Sequence, residues 1–203
     1  VLLLDEPLSN LDARLRLQTR EEIRRIQTET QITTVFVTHD QDEAMSISDS
    51  IVVMKEGKVQ QIGAPQQVYD DPDNLFVAKF LGTPPINVFA GKVQQGLLYL
   101  GDQKVLPVKG VSDREVMVGI RPEGFRIKED GAMCCQLNRL EVMGRDFSVI
   151  CTHEASENPF VRAIISQEQP VNTAQKELRF ALKPGKVFLF EKETGQRIRY
   201  TQD

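Results

Sequence analysis

The chain opens with an unbroken apolar run that ends in two adjacent carboxylates. Val1 to Leu4 carry no polar side chain, and Asp5 and Glu6 follow directly. Such a run is typical of a strand covered on both faces, as in a parallel sheet packed by helices. Pro7 cannot donate to a strand ladder, so the strand should end here. The carboxylates then lie at the carboxyl end of the strand, where open α/β sheets bind their ligands.

Two neighbouring carboxylates repel each other, and such a pair usually faces a cation or a reacting water. In P-loop NTPases an acidic residue at this place holds Mg²⁺, and a neighbouring residue orients or deprotonates the attacking water. A plain strand that ends in a solvated acidic turn is the alternative. The Asp-Glu pair alone leaves both interpretations open.

A second strand should bring a histidine to the same edge. Asp12 is a candidate helix cap, and the pattern of residues 13–30 predicts a helix. Residues 32–37 are β-branched and aromatic, which predicts a buried strand that ends at Thr38-His39. A strand, helix and strand in this order form a right-handed crossover with parallel strands. Glu6 and His39 can therefore share one site.

Four motifs resemble those of the ATP-binding-cassette (ABC) transporter ATPases. Leu-Leu-Leu-Asp5-Glu6-Pro7 with Ser9-Asn10-Leu11-Asp12 resembles the Walker B strand and D-loop. Thr38-His39-Asp40-Gln41 with Glu43-Ala44-Met45 resembles the H-loop, and residues 49–65 resemble the final hairpin.

The resemblance implies roles for six residues, with ATP and Mg²⁺ as cofactors. Asp5 would hold Mg²⁺ through water, and Glu6 would be the general base or water-orienting residue. His39 would contact the γ-phosphate. Ser9, Asn10 and Asp12 would form the D-loop, which reaches the partner subunit across a two-fold dimer.

The family motifs that precede Walker B are not in this sequence. These are the phosphate-binding GxxxxGK[ST], the Q-loop and the LSGGQ signature. We therefore expect the chain to be the C-terminal portion of such a protein, with no measurable ATPase and at best weak nucleotide binding alone. The alternative is a catalytically silent regulatory or dimerisation module. Without the upstream strands, Val1 to Leu4 should be exposed.

The pattern changes after Gly82-Thr83-Pro84-Pro85. Short period-2 segments separated by Gly, Pro and Asn predict a small barrel or sandwich. The predicted strands are 87–93, 97–100, 115–121, 124–128, 133–143, 147–152, 160–166, 178–182 and 187–191. This part resembles the TOBE regulatory domain, an OB-type barrel. The resemblance rests on residues 85–91, Arg121-Pro122-Glu123 and the closing segment 187–198.

The predicted fold class is therefore α/β followed by all-β. Residues 1–82 are predicted to form part of a P-loop nucleotide-binding domain, from the Walker B strand onward. Residues 83–203 are predicted to form an OB-like TOBE barrel.

Composition limits the classes of partner that we expect for this chain. A net charge of −4 and the absence of Trp argue against nucleic acid. No apolar run approaches the roughly 20 residues that span a bilayer. The three cysteines, Cys134, Cys135 and Cys151, are too few for a disulfide framework and fit a reduced cytoplasmic setting.

The resemblance also implies an assembly. It comprises a homodimer, membrane permease subunits and an extracytoplasmic solute-binding protein, with this chain peripheral at the cytoplasmic face of the cell membrane. The expected activity is ATP hydrolysis that drives solute uptake. A sugar is the expected cargo, because the long tail ending Glu193-Thr-Gly-Gln-Arg-Ile198 resembles that subgroup. Importers of polyamine, iron or another anion stay open.

Overall fold

The computed structural model describes residues 1–169, 171 and 175–201. It divides into two compact units, Val1–Asp71 and Pro72 onward. The predicted boundary lay after residue 82, and the division falls earlier because the helix at Leu75–Phe80 belongs to the second unit. Leu75 N–H donates to the Gly195 carbonyl at 2.8 Å. The domain assignments themselves stay predictions.

The first unit alternates strands and short helices. Its elements are β1 (Leu2–Asp5), α1 (Ala13–Thr30), β2 (Thr34–Val37), α2 (Gln41–Ile47), β3 (Ile51–Lys55), β4 (Lys58–Gly63) and α3 (Pro65–Asp70). Strands β1 and β2 are parallel, with Leu2 opposite Thr34 and Asp5 opposite Val37. Strands β3 and β4 form a hairpin whose turn, Glu56-Gly57, has φ values of 50° and 74°. Two positive φ angles are what a tight hairpin turn requires.

One face of each small sheet in this unit is apolar and exposed. Leu3, Val35 and Val37 lie on one face of the β1–β2 pair, and Leu3 is 72% exposed. Val52 and Ile62, paired across the hairpin, are also exposed, whereas Ile51 and Val53 on its other face are buried. The predicted exposure of Val1 to Leu4 is thus seen at Val1, Leu2 and Leu3.

The second unit is almost entirely β. Its elements are α4 (Leu75–Phe80), β5 (Asn87–Gln94), β6 (Leu97–Leu100), β7 (Gln103–Pro107), β8 (Arg114–Ile120), β9 (Phe125–Ile127), β10 (Met133–Met143), β11 (Asp146–Thr152), β12 (Val161–Ser166), β13 (Glu177–Leu182), β14 (Val187–Glu191) and β15 (Arg197–Ile198). Short 3₁₀ turns precede β9 and β14. Part of the predicted strand 124–128 is thus a turn.

These strands form two antiparallel sheets around one core. The orders are β12-β11-β10-β13-β9 and β15-β14-β8-β5-β6-β7. Phe89 and Leu189 from one sheet and Val149 and Phe180 from the other belong to the same buried cluster. Among the described residues the pairing gives two separate sheets and no closed barrel, so the OB-type barrel is not confirmed. What the structure shows is a mixed α/β unit followed by a β-rich unit.

A buried arginine fixes α4 within the second unit. The Arg121 side chain is fully buried and donates to the carbonyls of Ala78 at 2.9 Å and Leu81 at 2.5 Å. Carbonyls at the end of a helix lack partners within it. Arg121 therefore satisfies the C-terminal end of α4 and explains why this helix belongs with the β-rich unit.

Within the part of the chain that the structure describes, we find no helix that is long and apolar enough to cross a membrane.

Candidate functional site

The carboxyl ends of β1 and β2 bring a carboxylate and an imidazole together. Glu6 N–H extends the strand pairing by donating to the Val37 carbonyl at 2.9 Å. Glu6 and His39 therefore lie in the two loops that leave the same edge of the sheet. Glu6 Oε1 lies 3.2 Å from His39 Nδ1. Both side chains are well exposed, so a ligand can reach them.

Glu6 adopts an uncommon backbone conformation. Its φ is 44°, in the left-handed region that few non-glycine residues occupy. The Glu6 carbonyl accepts from the Ser9 Oγ at 3.0 Å and from the Ser9 N–H at 3.3 Å. Ser9 thus closes the loop behind Glu6 and holds the turn that directs the Glu6 side chain.

The other predicted site residues lie around this pair. Asp5 is the last residue of β1, and its side chain is exposed. Asp12 caps α1, since its Oδ1 accepts from the N–H groups of Arg14 and Leu15 at 3.0 Å. Asn10 is exposed in the loop between Glu6 and this cap. The structure does not bring Asp5, Asn10 or Asp12 into the cleft that Glu6 and His39 line.

That cleft is small and polar. It encloses about 20 Å³, enough for one water molecule. It is lined by Glu6, Ser9, Arg16, Thr38, His39, Asp40 and Glu43.

Hydrogen bonds on both sides of His39 hold the loop that carries it. The Thr38 hydroxyl donates to Glu43 Oε2 at 2.6 Å and accepts from the Asp40 N–H at 3.0 Å. Asp40 in turn caps α2, because its Oδ1 accepts from the N–H groups of Asp42 and Glu43. His39 is therefore flanked by two residues with fixed positions.

Arg16 joins this loop to the one that follows Glu6. Its guanidinium donates to Asp40 Oδ2 at 3.2 Å and to the Leu11 carbonyl at 3.4 Å, and its Nε lies 3.6 Å from Glu43 Oε1. Sequence reasoning assigned no role to Arg16 or Glu43. One available signal was Glu43 three residues after the cap Asp40, which is typical of a helix start. No sequence signal connects Arg16 with residues more than twenty positions away.

A second ion pair fixes the far end of α1. Arg24 donates to both carboxylate oxygens of Asp49, at 2.6 and 3.1 Å. The Arg24 guanidinium holds the pKa of the Asp49 carboxyl below its usual range, mainly through these hydrogen bonds. Helix α1 is thus attached to the segment after β2 beyond its first turns as well.

The donor set suits a hydrated magnesium ion beside a reacting water. Asp5 offers an exposed carboxylate at the strand end, and Mg²⁺ is usually bound by one or two carboxylates while it keeps several waters. Glu6 offers a second carboxylate that is directed to His39 instead. Asp5 can therefore bind a cation while Glu6 binds a water, at the same edge of the sheet.

Comparison with known proteins gives the following matches. No family model matches the chain. The oligosaccharides import ATP-binding protein MsmX of Bacillus subtilis is 40% identical over 215 residues, which cover 98% of this chain and 58% of MsmX. The putative ABC transporter ATP-binding protein MG187 homolog of Mycoplasma pneumoniae is 44% identical, covering 98% of this chain and 34% of that protein. The sn-glycerol-3-phosphate import ATP-binding protein UgpC of Escherichia coli is 38% identical, covering 98% and 57%.

The chain thus spans between 34% and 58% of the length of these relatives and is matched over nearly all of its own. The names of these relatives agree with the resemblance to ABC transporter ATPases described above. Over nearly all of its length the chain is thus similar to ABC transporter ATP-binding proteins.

Proposed function

We propose that this chain supplies the hydrolytic carboxylate and the histidine of an ATP-hydrolysing site in an ABC importer. The observation that carries the proposal is the 3.2 Å contact between Glu6 Oε1 and His39 Nδ1 at the carboxyl edge of two parallel strands. Ligands of open α/β sheets bind at that edge.

Glu6 acts on water in this proposal. Its carboxylate is exposed enough to accept a hydrogen bond from a water in the cleft and to take a proton as the water attacks. Such a group typically contributes roughly 10²–10⁴ in rate. His39 Nδ1 lies next to Oε1, so a proton on Nδ1 fixes the direction of the carboxylate and leaves the other oxygen for water.

His39 has a second nitrogen for the substrate. When both ring nitrogens carry a proton, Nδ1–H faces Glu6 and Nε2–H can donate to a phosphate oxygen. The imidazole then connects the state of the phosphate with the orientation of Glu6. Bound Mg²⁺ would neutralise charge that develops on the phosphate oxygens, and Asp5 would hold the shell of that ion.

Ser9, Asn10 and Asp12 are proposed to act as the D-loop of a homodimeric ATPase. Ser9 is hydrogen bonded to the Glu6 carbonyl, so a subunit that contacts Ser9 or Asn10 would affect the position of Glu6 directly. Asp12 would keep this loop in place through its cap on α1.

The cargo and the role of the β-rich unit complete the proposal. The matched relatives are named for import of oligosaccharides and sn-glycerol-3-phosphate, which supports uptake of a sugar or a related compound. We assign the β-rich unit to a TOBE-type regulatory domain, of which the OB-type barrel is the finer part of the proposal. The complete protein would work with permease subunits and a solute-binding protein, peripheral at the cytoplasmic face of the membrane.

The test is the substitution Glu6→Gln in the complete protein. Gln keeps the shape of Glu but cannot take a proton, so we expect ATP to bind normally and hydrolysis to fall by roughly 10²–10⁴. Steady-state phosphate release and retention of labelled ATP measure both quantities. Glu21→Gln, at an exposed position of α1, is the matched control and should hydrolyse at the wild-type rate. Near-normal hydrolysis by Glu6→Gln would remove Glu6 from this role.

A further inference from the structure

The direction of the His39 ring needs an explanation, because the ring itself has little support. The side chain is 72% exposed, and it contacts the Glu6 carboxylate. An exposed imidazole would ordinarily sample several rotamers. Whatever holds His39 against Glu6 must therefore act through the backbone on either side of it.

A hydroxyl closes the backbone around His39. Thr38 Oγ1 accepts from the Asp40 N–H, which spans the histidine, and the same hydroxyl donates its proton to Glu43 Oε2. Only a group that both donates and accepts can make this pair of bonds, and Ser and Thr hydroxyls do so. The conformation of residue 39 is thus defined by a side chain at residue 38.

Glu43 makes this arrangement costly to lose. It is only 3% exposed, and a buried carboxylate is unfavourable unless it is paired and hydrogen bonded. The Thr38 hydroxyl at 2.6 Å and the Arg16 Nε at 3.6 Å meet this need. Glu43 therefore keeps Thr38 and Arg16 in fixed places.

Arg16 extends the arrangement to the loop that follows Glu6. One guanidinium reaches Asp40 on the histidine side and the Leu11 carbonyl on the other side. A planar group with five donors can serve such separated acceptors at once, whereas a lysine ammonium cannot match this geometry. Arg16 thus sets the distance between the two loops that carry Glu6 and His39.

We propose that Arg16, Thr38 and Glu43 are positioning residues that hold His39 against Glu6. All three also line the cleft, and each acts on His39 through the backbone of residues 39 and 40 or of the loop at Leu11. The importance of this network of Arg16, Thr38 and Glu43 for catalysis rests on the proposed function. The proposal that the network holds His39 against Glu6 does not.

The test uses the fact that the chain contains only two histidines, His39 and His153. The ring ¹⁵N signals of His39 can be recorded in the whole chain and assigned with His153→Gln. The reporter is the change in these signals when Glu6 is replaced by Gln, since that change measures the contact between the two side chains. We expect a clear response in the wild-type background.

The same response is then measured in variants of the network. Thr38→Val keeps the β-branched shape and removes the hydroxyl, and Arg16→Met removes the guanidinium; in both we expect the response to Glu6→Gln to be lost. Thr38→Ser restores the hydroxyl and should restore the response. Arg25→Met is the matched control, because Arg25 is on the same helix and pairs with Glu22 and Glu29 instead.

Three results would overturn the proposal. They are a full response in Thr38→Val and Arg16→Met, an equal loss in Arg25→Met, or no response to Glu6→Gln in the wild type. Backbone amide signals of residues 1–71 report folding. If Thr38→Val unfolds this unit, we compare Thr38→Ser with Thr38→Ala, and Arg16→Lys with Arg16→Met. A full response in Thr38→Ala or Arg16→Met would then overturn the proposal.

Hydrolysis by the complete protein separates this inference from the proposed function. Misplacement of a catalytic group typically costs up to about 10²-fold, so Thr38→Val should lower kcat and leave the KM for ATP unchanged. If Glu6→Gln hydrolyses ATP normally while the His39 signals behave as expected, the proposed function fails and the positioning network stands. If Glu6→Gln is inactive and the signals do not respond, the network fails alone.

Discussion

The two units differ in what holds them together. Among the described residues, the unit up to Asp71 contributes 5 of the 36 buried apolar residues and 13 of the 17 exposed large ones. The β-rich unit contributes the other 31 buried apolar residues and the other 4 exposed large ones. The larger size of the β-rich unit does not account for so large a difference.

Polar contacts tie the elements of the first unit together. Around the site, Arg16 and Arg24 tie α1 to the segment after β2, and Glu43 is the buried charged residue among them. Polar contacts are directional and specify geometry, whereas apolar burial mainly supplies stability. The site thus gains a defined geometry from these contacts, and the β-rich unit gains its stability from two buried apolar clusters.

The largest expected effect is on the core of the β-rich unit. Phe180 is fully buried and packs edge-on against Phe125, with ring centroids 5.4 Å apart. Phe180→Ala should lower the free energy of unfolding of this unit by about 3–5 kcal/mol. Phe160→Ala is the control, because that ring is 46% exposed, and should cost under about 1 kcal/mol. Denaturant unfolding followed through amide signals of residues 87–198 measures both; equal costs would contradict the contrast between core and surface.

A somewhat smaller effect is expected at Arg121. Arg121→Met keeps the volume and leaves the Ala78 and Leu81 carbonyls without their donor, which should cost about 2–4 kcal/mol. Hydrogen exchange of the α4 amides should accelerate more than exchange in β5. Arg199→Met, at an exposed arginine of the same unit, should change neither quantity by a comparable amount. If exchange in α4 is unchanged, Arg121 does not hold the helix.

A substitution at the N-cap of α1 should destabilise the first unit by a smaller amount. Asp12→Ala removes the acceptor for the Arg14 and Leu15 N–H groups and should destabilise α1 by about 1 kcal/mol. Exchange of amides in the first turn of α1 reports it. Asp12→Asn preserves an acceptor and is the control. An effect as large as that of Phe180→Ala would show that the first unit depends on its caps as strongly as the second depends on its core.

The smallest effect is a pH dependence of the β-rich unit. Burial lowers the pKa of His153 below its usual value of about 6.5, and the charge of Glu154 opposes this shift. The unfolded chain binds more protons on this group than the folded one, so its stabilising contribution is complete above about pH 6.5 and is lost as the pH falls. His153→Gln should flatten the pH dependence of unfolding just below pH 6.5. If unfolding of this variant depends on pH as steeply as that of the wild type, His153 is not the source of the pH dependence.

Local structure followed from the sequence to a large extent. The helix 13–30 was predicted with its bounds, because Asp12 caps it and the next strand is β-branched. The parallel pairing of β1 with β2 was confirmed, since a strand, helix and strand leave little choice. Strand β7 was missed because Gln103–Pro107 is short, partly polar and ends in proline, and β15 has only two residues.

Contacts between residues that lie far apart in the chain could not be predicted from the sequence. The strand segments of the β-rich unit were largely predicted, but β13 pairs with β9 and β10 across long stretches of chain, and no local pattern encodes such partners. For the same reason Arg16 was missed, although the neighbouring motifs were recognised. The proposed roles of Asp5, Glu6, Ser9, Asn10, Asp12 and His39 stay predictions.

The left-handed backbone at Glu6 has a consequence for how this position can change under selection. At φ 44° the main chain favours glycine or asparagine, since a left-handed conformation costs an ordinary side chain roughly 1–2 kcal/mol. Selection for thermal stability alone would therefore tend to replace Glu6 and discard the carboxylate with it. A library of residue 6 variants screened once for stability and once for hydrolysis should yield opposite winners.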